Sequence, residues 1–398
     1  MRAVFINQCH PEMPHVCSLR VGRFAEALVA SGHEIILLVE TYPRDAPCPS
    51  PDSIASELAT HDWSEPFILP CQPKGFVKAR RARAGRGNAL GRYATIAKSF
   101  VVDGGMFADW RAGAEAYFDI IVKAFAPEVI WGTFGNTDTW TMAQKLSEKA
   151  NCPWVADFKD NWNAFIPDGL KHLMARRFRD PAHMTVLSRS HLDEADRWFG
   201  GAKTVLYSGV DPSTATENPA FRIVITGSVY DENRLAQLVW GLRDWLSTTA
   251  TENIEFCYAG TESDLVERVT APLEEYCQRR FFGYIGLNEL AALQASATAN
   301  IYIHNERCLF HHKALELIAA GRPILSYPDE TKETRAMASE AGCALFVCQD
   351  RNHIADAMDV IAAGNFPALD LQVLAQFPWQ ARAKTLERVL SWAIGGDR

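Results

Sequence analysis

Lys313 and Glu316 stand three residues apart in the run Lys313-Ala314-Leu315-Glu316-Leu317-Ile318-Ala319-Ala320, so a helix puts them on one face near its start. Leu315, Ile318 and Ala319 share another, apolar face. Free backbone N–H groups and the helix dipole favour an anion at such a start, and a lysine adds positive charge. A carboxylate one turn further in can accept hydrogen bonds from a vicinal diol such as a ribose. One helix start could therefore hold a diphosphate and a ribose together. A solvated surface pair is the competing account of the same two residues. Gly227-Ser228 closes a strand-like run, and a glycine there lets backbone N–H groups approach a phosphate. Gly260 ends the next strand-like run in the same way, which brings it to the sheet edge where open α/β sheets bind ligands.

A second set of chemically able residues lies early in the chain. His10 and His15 fall in the loop Gln8 to Ser18 and are candidate acids or bases, since histidine alone titrates near neutrality unperturbed. Solvated loop histidines are the commoner case. Asp157 and Asp160 could act as a carboxylate pair. Asp157, at the end of a strand pattern, is the expected catalytic member, and Asp160 the structural one. From Lys74 to Lys98 the chain carries Lys78, Arg80, Arg81, Arg83, Arg86 and Arg92 with no acid, interrupted by Gly85, Gly87 and Gly91. That stretch suits either an anionic membrane surface or a solvated loop.

The elements that must position these residues follow an alternating rhythm. Ala3-Val4-Phe5-Ile6 reads as a strand, and Ser18 as the N-cap of a helix that ends at Gly32. Ile35-Ile36-Leu37-Leu38-Val39 is a continuous apolar run, as in a strand buried on both faces. Further strands are expected at 129–133, 154–157, 184–188 and 204–206, with a helix over 139–149. The polar stretch Ser213 to Pro219 reads as a linker, after which the rhythm restarts with strands at 221–226, 254–260, 299–304 and 323–327. Helices are expected over 233–246 and 313–320. Two such sets predict an α/β fold of two Rossmann-like, doubly wound domains with a cleft between them.

Composition sets the outer limits. A chain of 398 residues is too long for one ordinary core. A net charge of −8 argues against nucleic acid as the main partner, because phosphate backbones demand a broadly positive surface. The ten cysteines form no CxxC pair and no zinc-like spacing with histidine, so a reduced, cytoplasmic protein without a metal centre is expected. No apolar run reaches membrane-spanning length, and the opening strand is too short for a signal peptide.

The run Lys313 to Leu325 resembles the K-x-x-E-x-x-A-x-G-(R/K)-P-(V/I) signature of glycosyltransferases of the GT-B architecture, the family 4-like enzymes above all. Other segments match in order along nearly the whole chain. Arg20 through Gly32-His33-Glu34 is similar to the family's opening, and Pro153-Trp154-Val155-Ala156-Asp157 to its P-W-V-x-D segment. Tyr207-Ser208-Gly209-Val210-Asp211 looks like N-G-V-D, and Gly283-Tyr284-Ile285 like the base-binding turn. The resemblance implies that Glu316 holds the donor's ribose, that Lys313 and Arg234 neutralise its diphosphate, and that Tyr284 and Ile285 meet its base. It implies an N-terminal acceptor-side domain at 1–213, a C-terminal nucleotide-sugar domain at 214–375, and a helix at 376–398 that crosses back to the first.

One position departs from the pattern. Where the family's Glu-x7-Glu motif carries its first glutamate this chain has Cys308, with Glu306 as the nearest carboxylate and the expected substitute. The implied activity is metal-independent, retaining transfer of a sugar from a nucleoside diphosphate sugar to a hydroxyl. The acceptor is expected to be a carbohydrate or lipid-linked, as in polysaccharide or glycolipid synthesis. No cofactor is implied, and an enzyme at the inner face of a membrane would use the basic stretch at 74–98. A nucleotide-sugar epimerase or a non-catalytic binding relative would share the architecture.

Overall fold

The computed structural model describes residues 1–13, 15–75, 89–211, 216, 218–306, 308–364, 366–367 and 369–396. The chain divides into two compact units, residues 1–209 with 379–398, and residues 210–378.

The first unit is built on a seven-stranded sheet. Its strands are β1 (Arg2–Ile6), β2 (Glu34–Glu40), β3 (Phe67–Cys71), β4 (Val129–Thr133), β5 (Trp154–Phe158), β6 (His183–Val186) and β7 (Lys203–Val205). They run in the order β3-β2-β1-β4-β5-β6-β7, every neighbouring pair parallel. Ile35 to Val39 are all essentially inaccessible, since helices cover both faces of the sheet. One face packs a cluster rich in aromatics, with Trp110, Trp140 and Trp162 fully buried. The other face packs the Val16–Val29 helix together with the Trp379–Gly395 helix. There Trp379 meets Phe24 edge-on at 5.3 Å, and Leu386 and Leu390 are wholly buried. Burying each such leucine stabilises by about 2 kcal/mol. Gly209 is required at the start of this contact, because a Cβ there would lie 2.5 Å from the Trp379 backbone.

The second unit repeats the plan with six strands. These are β8 (Phe221–Thr226), β9 (Ile254–Ala259), β10 (Gln278–Phe281), β11 (Ala299–Ile303), β12 (Ile324–Tyr327) and β13 (Leu345–Val347). Their order is β10-β9-β8-β11-β12-β13, again all parallel. In both sheets the strand order reverses direction beside the first strand, between β1 and β4 and between β8 and β11. A doubly wound sheet opens a crevice at that switch, off the carboxyl ends of the strands.

The first helix starts differently from its sequence pattern. Its N-cap is His15, not Ser18: the His15 ring nitrogen Nδ1 accepts the Cys17 N–H at 3.1 Å. Ser18 lies inside the helix and donates its hydroxyl to the backbone carbonyls of Met13 and His15. Of the basic stretch at 74–98, residues 76–88 lie outside the described residues, and Lys78, Arg80, Arg81, Arg83 and Arg86 lie there with them. Among the described residues, no helix is long and apolar enough to cross a membrane.

Candidate functional site

In the second unit the switch point gathers most of the residues singled out in the sequence. β8 ends at Thr226, and Gly227 follows with φ +76°, a left-handed turn that a side chain resists. Lys313, in the first turn of the His312–Ala319 helix, lies over that glycine, and a Cβ on Gly227 would sit 2.7 Å from Nζ. The ammonium donates to the Thr226 carbonyl. Burial pulls the Lys313 pKa down, against the opposing charges of Glu316 and Glu262. A half-buried cation, one bond from a glycine turn and at a helix start, is what a diphosphate requires.

Glu316 lies one turn deeper on the same helix. Its Oε1 is 3.3 Å from His312 Nε2. Burial pushes its carboxyl pKa up, but hydrogen bonds from His312 and Gln294 and the charges of His312 and Lys313 outweigh that and hold it below the ordinary value. The carboxylate is therefore ionised and ready to accept. Gln294 is itself fixed, donating to the Thr226 hydroxyl at 3.1 Å. His312 and Gln294 are parts of the site that the sequence pattern did not reveal, as is Tyr258. The Tyr258 hydroxyl lies 2.9 Å from the Gly227 carbonyl and 3.1 Å from Glu262, and so braces the turn. Gly260 is required beside it, since a Cβ there would fall 2.3 Å from the Tyr258 oxygen.

Arg234, two residues into the Glu232–Leu246 helix, donates to the His304 carbonyl at 3.0 Å and to Glu306 Oε1 at 2.7 Å. Glu306 is two-thirds exposed, so this pair is held in water and can open for an incoming anion. Ser228 is exposed beside Gly227 and hydrogen-bonds Tyr230. Tyr284 presents an exposed ring, whereas Ile285 is partly buried and packs against the cluster that holds Val224, Cys257 and Leu293. Cys308 has only intermediate exposure.

In the first unit the switch point opens into a cavity of about 620 Å³. Asn7, Gln8 and Cys9 follow β1 into it, Gly135 and Asn136 follow β4, and Lys159 and Asp160 follow β5. His15 and Cys17 close one side. Beside it lies a smaller recess of about 260 Å³, lined by Ile96, Phe100, Phe134 and Ile166 and sharing Met106 and Phe165 with the first.

Asp157, the carboxylate expected to do chemistry here, does not line the cavity. Asp157 is completely buried, holds Arg20 through bonds of 2.8 and 3.1 Å, and accepts the Thr185 hydroxyl at 2.7 Å. Arg20 is equally buried and also donates to Ser208 and to the Leu206 carbonyl. Both oxygens of Asp157 are thus committed to structure. Asp160 reaches the cavity instead, paired with Lys159 at 2.8 Å. Burial raises the Asp160 pKa against the Lys159 charge. His10 is buried outside the cavity lining, and burial lowers its pKa.

A thiol–imidazole cluster also lines this cavity, contrary to the expectation from cysteine spacing. Cys9, His15 and Cys17 bring their sulfur and nitrogen atoms within 4.8 Å of one another. The Cys17 thiol is drawn well below its ordinary pKa, by the Cys9 hydrogen bond first and by Lys159 and His15 against the effect of burial.

No protein-family model and no curated protein matches the sequence. Solved structures do match in shape. Anabaena HepE, determined in complex with UDP, superposes with a TM-score of 0.61 at 13% identity over 98% of this chain and 100% of its own. A glycosyltransferase from Rickettsia africae gives 0.61 at 11% identity over 100% and 99%. UDP-GlcNAc 2-epimerase from Methanocaldococcus jannaschii gives 0.55 at 10% over 98% and 100%. The chain has the GT-B fold. That fold carries both sugar transfer and epimerisation among these proteins, so the fold alone assigns neither to this chain.

Proposed function

We infer that the protein is a glycosyltransferase that moves a sugar from a nucleoside diphosphate sugar to a hydroxyl acceptor. The observation that carries this reading is the joint placement of Lys313 over the Gly227 turn and of ionised Glu316 one turn deeper. The HepE structures with UDP and with UDP-glucose give the same fold a donor of this class. In this reading the diphosphate lies on Gly227, Ser228 and the start of the His312–Ala319 helix, and Arg234 leaves Glu306 to meet it. Glu316 accepts the ribose hydroxyls, and the turn at Tyr284 and Ile285 faces the base, through the Ile285 backbone.

As the bond to the anomeric carbon breaks, negative charge grows on the leaving diphosphate. Lys313 and the helix N–H groups stand at that position before the reaction, and Arg234 joins them once it leaves Glu306, which lowers the barrier without a metal. Retention of configuration fits this arrangement, because Asp157 is locked to Arg20 and Asp160, which does reach the cavity, is paired with Lys159. The cavity, whose wall mixes Asn7, Gln8, Asn136, Lys159 and Asp160 with Met13, Val16 and Phe107, and its apolar recess suit an acceptor that carries both a hydroxyl and a hydrocarbon or aromatic part. A lipid-linked intermediate of cell-surface polysaccharide or glycolipid synthesis has that character, and it would put the enzyme at a membrane face.

Calorimetry against UDP-, GDP-, ADP- and CMP-sugars tests the reading: one donor is expected to bind, and Glu316→Ala to weaken it. If no nucleotide sugar binds, the reading fails. The epimerase match keeps nucleotide-sugar 2-epimerisation as a second reading, which epimerised sugar formed without any acceptor would establish.

A further inference from the structure

We propose that Cys9, His15 and Cys17 form a binding site for one thiophilic dication of the Zn²⁺ class, with a fourth coordination position open to the first-unit cavity. Three different parts of the local fold supply the ligands: the loop after β1, the cap of the first helix and that helix's first turn. Cys9 Sγ lies 3.7 Å from His15 Nδ1, and all three ligand atoms fall within 4.8 Å of one another. A tetrahedral zinc ion with bonds of about 2.3 Å to sulfur and 2.0 Å to nitrogen sets its ligand atoms roughly 3.5–3.8 Å apart. The Cys9–His15 distance already matches one edge of such a tetrahedron, and the other separations have to close by about 1 Å at most.

Ligand chemistry selects the ion. Two thiolates and an imidazole favour zinc, cadmium or cobalt over magnesium or calcium, which prefer oxygen. Charge balances as well: the two sulfur ligands bind as thiolates, any proton they still hold passing to solvent as the sulfur–metal bonds form, so one dication leaves the site neutral. The neighbouring Lys159–Asp160 pair, 2.8 Å apart, is neutral too, and Lys159 also hydrogen-bonds Cys17. A donor of that kind on a coordinated sulfur steadies a thiolate. Coordination through His15 Nδ1 takes the lone pair that now caps the Cys17 N–H, but one helix cap is worth far less than a zinc–thiolate site. Three protein ligands with the fourth position facing a cavity is the form of zinc site that leaves room for a water or substrate oxygen.

The test uses the full-length protein, reduced with a phosphine, and titrated with Co²⁺ as the probe. A sulfur-to-cobalt charge-transfer band saturating at one equivalent, bleached by Zn²⁺ and accompanied by proton release, is the expected result. Cys9→Ser, at a half-exposed loop position, should remove the one-equivalent band while the melting curve stays cooperative. Cys17→Ala should do the same, and His15→Ala should weaken binding by about tenfold or more. Cys348→Ser, in the second unit, should change nothing. No band at one equivalent, or an undiminished band in Cys9→Ser, overturns the proposal. The readout needs neither donor nor acceptor, so it stands apart from any test of sugar transfer.

Discussion

Replacing Glu316 by glutamine probes the donor site with little disturbance of the fold. The amide keeps the shape of the carboxylate and one acceptor oxygen, so His312 and Gln294 keep a partner, but the charge is lost. Hydrogen bonds to a charged acceptor contribute about 1.5–3 kcal/mol and those to a neutral one about 0.5–1.5 kcal/mol. The difference of about 1–1.5 kcal/mol predicts donor binding weaker by roughly 5- to 12-fold. The decisive form of the assay is a cycle. Calorimetry should be run on wild type and Glu316→Gln with a nucleoside diphosphate and with its 2′,3′-dideoxy analogue. If Glu316 holds the ribose diol, the wild type should lose affinity for the analogue and the substitution should then cost almost nothing further. An equal penalty with both ligands would refute the ribose assignment, because the glutamate would then act through Lys313 or the helix alone.

Other outcomes follow from the same structure. Gly227→Ala should abolish diphosphate binding and lower stability by about 1–3 kcal/mol, since φ is +76° and Lys313 occupies the space; unchanged affinity would mean the turn is not the anion site. Asp157→Asn should destabilise by roughly 3–5 kcal/mol in urea unfolding by leaving Arg20 charged and buried, while the folded fraction keeps its donor affinity. Donor affinity should be the same with and without EDTA; its loss on chelation, restored by magnesium, would assign the diphosphate to a metal. Burial, aided by the charges of Lys159 and Arg20, takes His191 down to about 3. Its folded value lies below the unfolded value of about 6.5, so its contribution is complete above that pH and is lost as pH falls toward 3. The slope of stability against pH in that window should flatten in His191→Asn, as measured by thermal melts.

The central strands were legible in the sequence because burial on both faces leaves long apolar runs such as Ile35 to Val39. β10 and β13 were not, since edge strands need only partial burial and Gln278-Arg279-Arg280-Phe281 has no apolar alternation to show. β3, the edge strand of the first sheet, was hidden instead by Pro70 inside it. Lys313 and Glu316 could be found because both lie on one helix, where spacing is geometry. The burial of Asp157 was not legible because its partner Arg20 is 137 positions away, and no local pattern reveals which carboxylate a distant guanidinium will claim. Cys9, His15 and Cys17 escaped for a related reason: their approach depends on a loop folding back onto the first turn of a helix. Tyr258 carries no spacing signal either, since its hydroxyl acts on the backbone of another strand's turn.

The Trp379–Gly395 helix has a consequence for how the protein is made. Residues 1–209 leave the ribosome long before this helix exists, so the apolar side of the Val16–Val29 helix, with Val21, Phe24 and Leu28, must wait through the synthesis of 169 further residues. The intervening unit is continuous in sequence and can complete its own core during that interval. The nascent first unit is thus the stage at which a holdase chaperone or an aggregation partner would find its target. A chain stopped before Trp379 would leave that surface uncovered for good, however well its strands had formed.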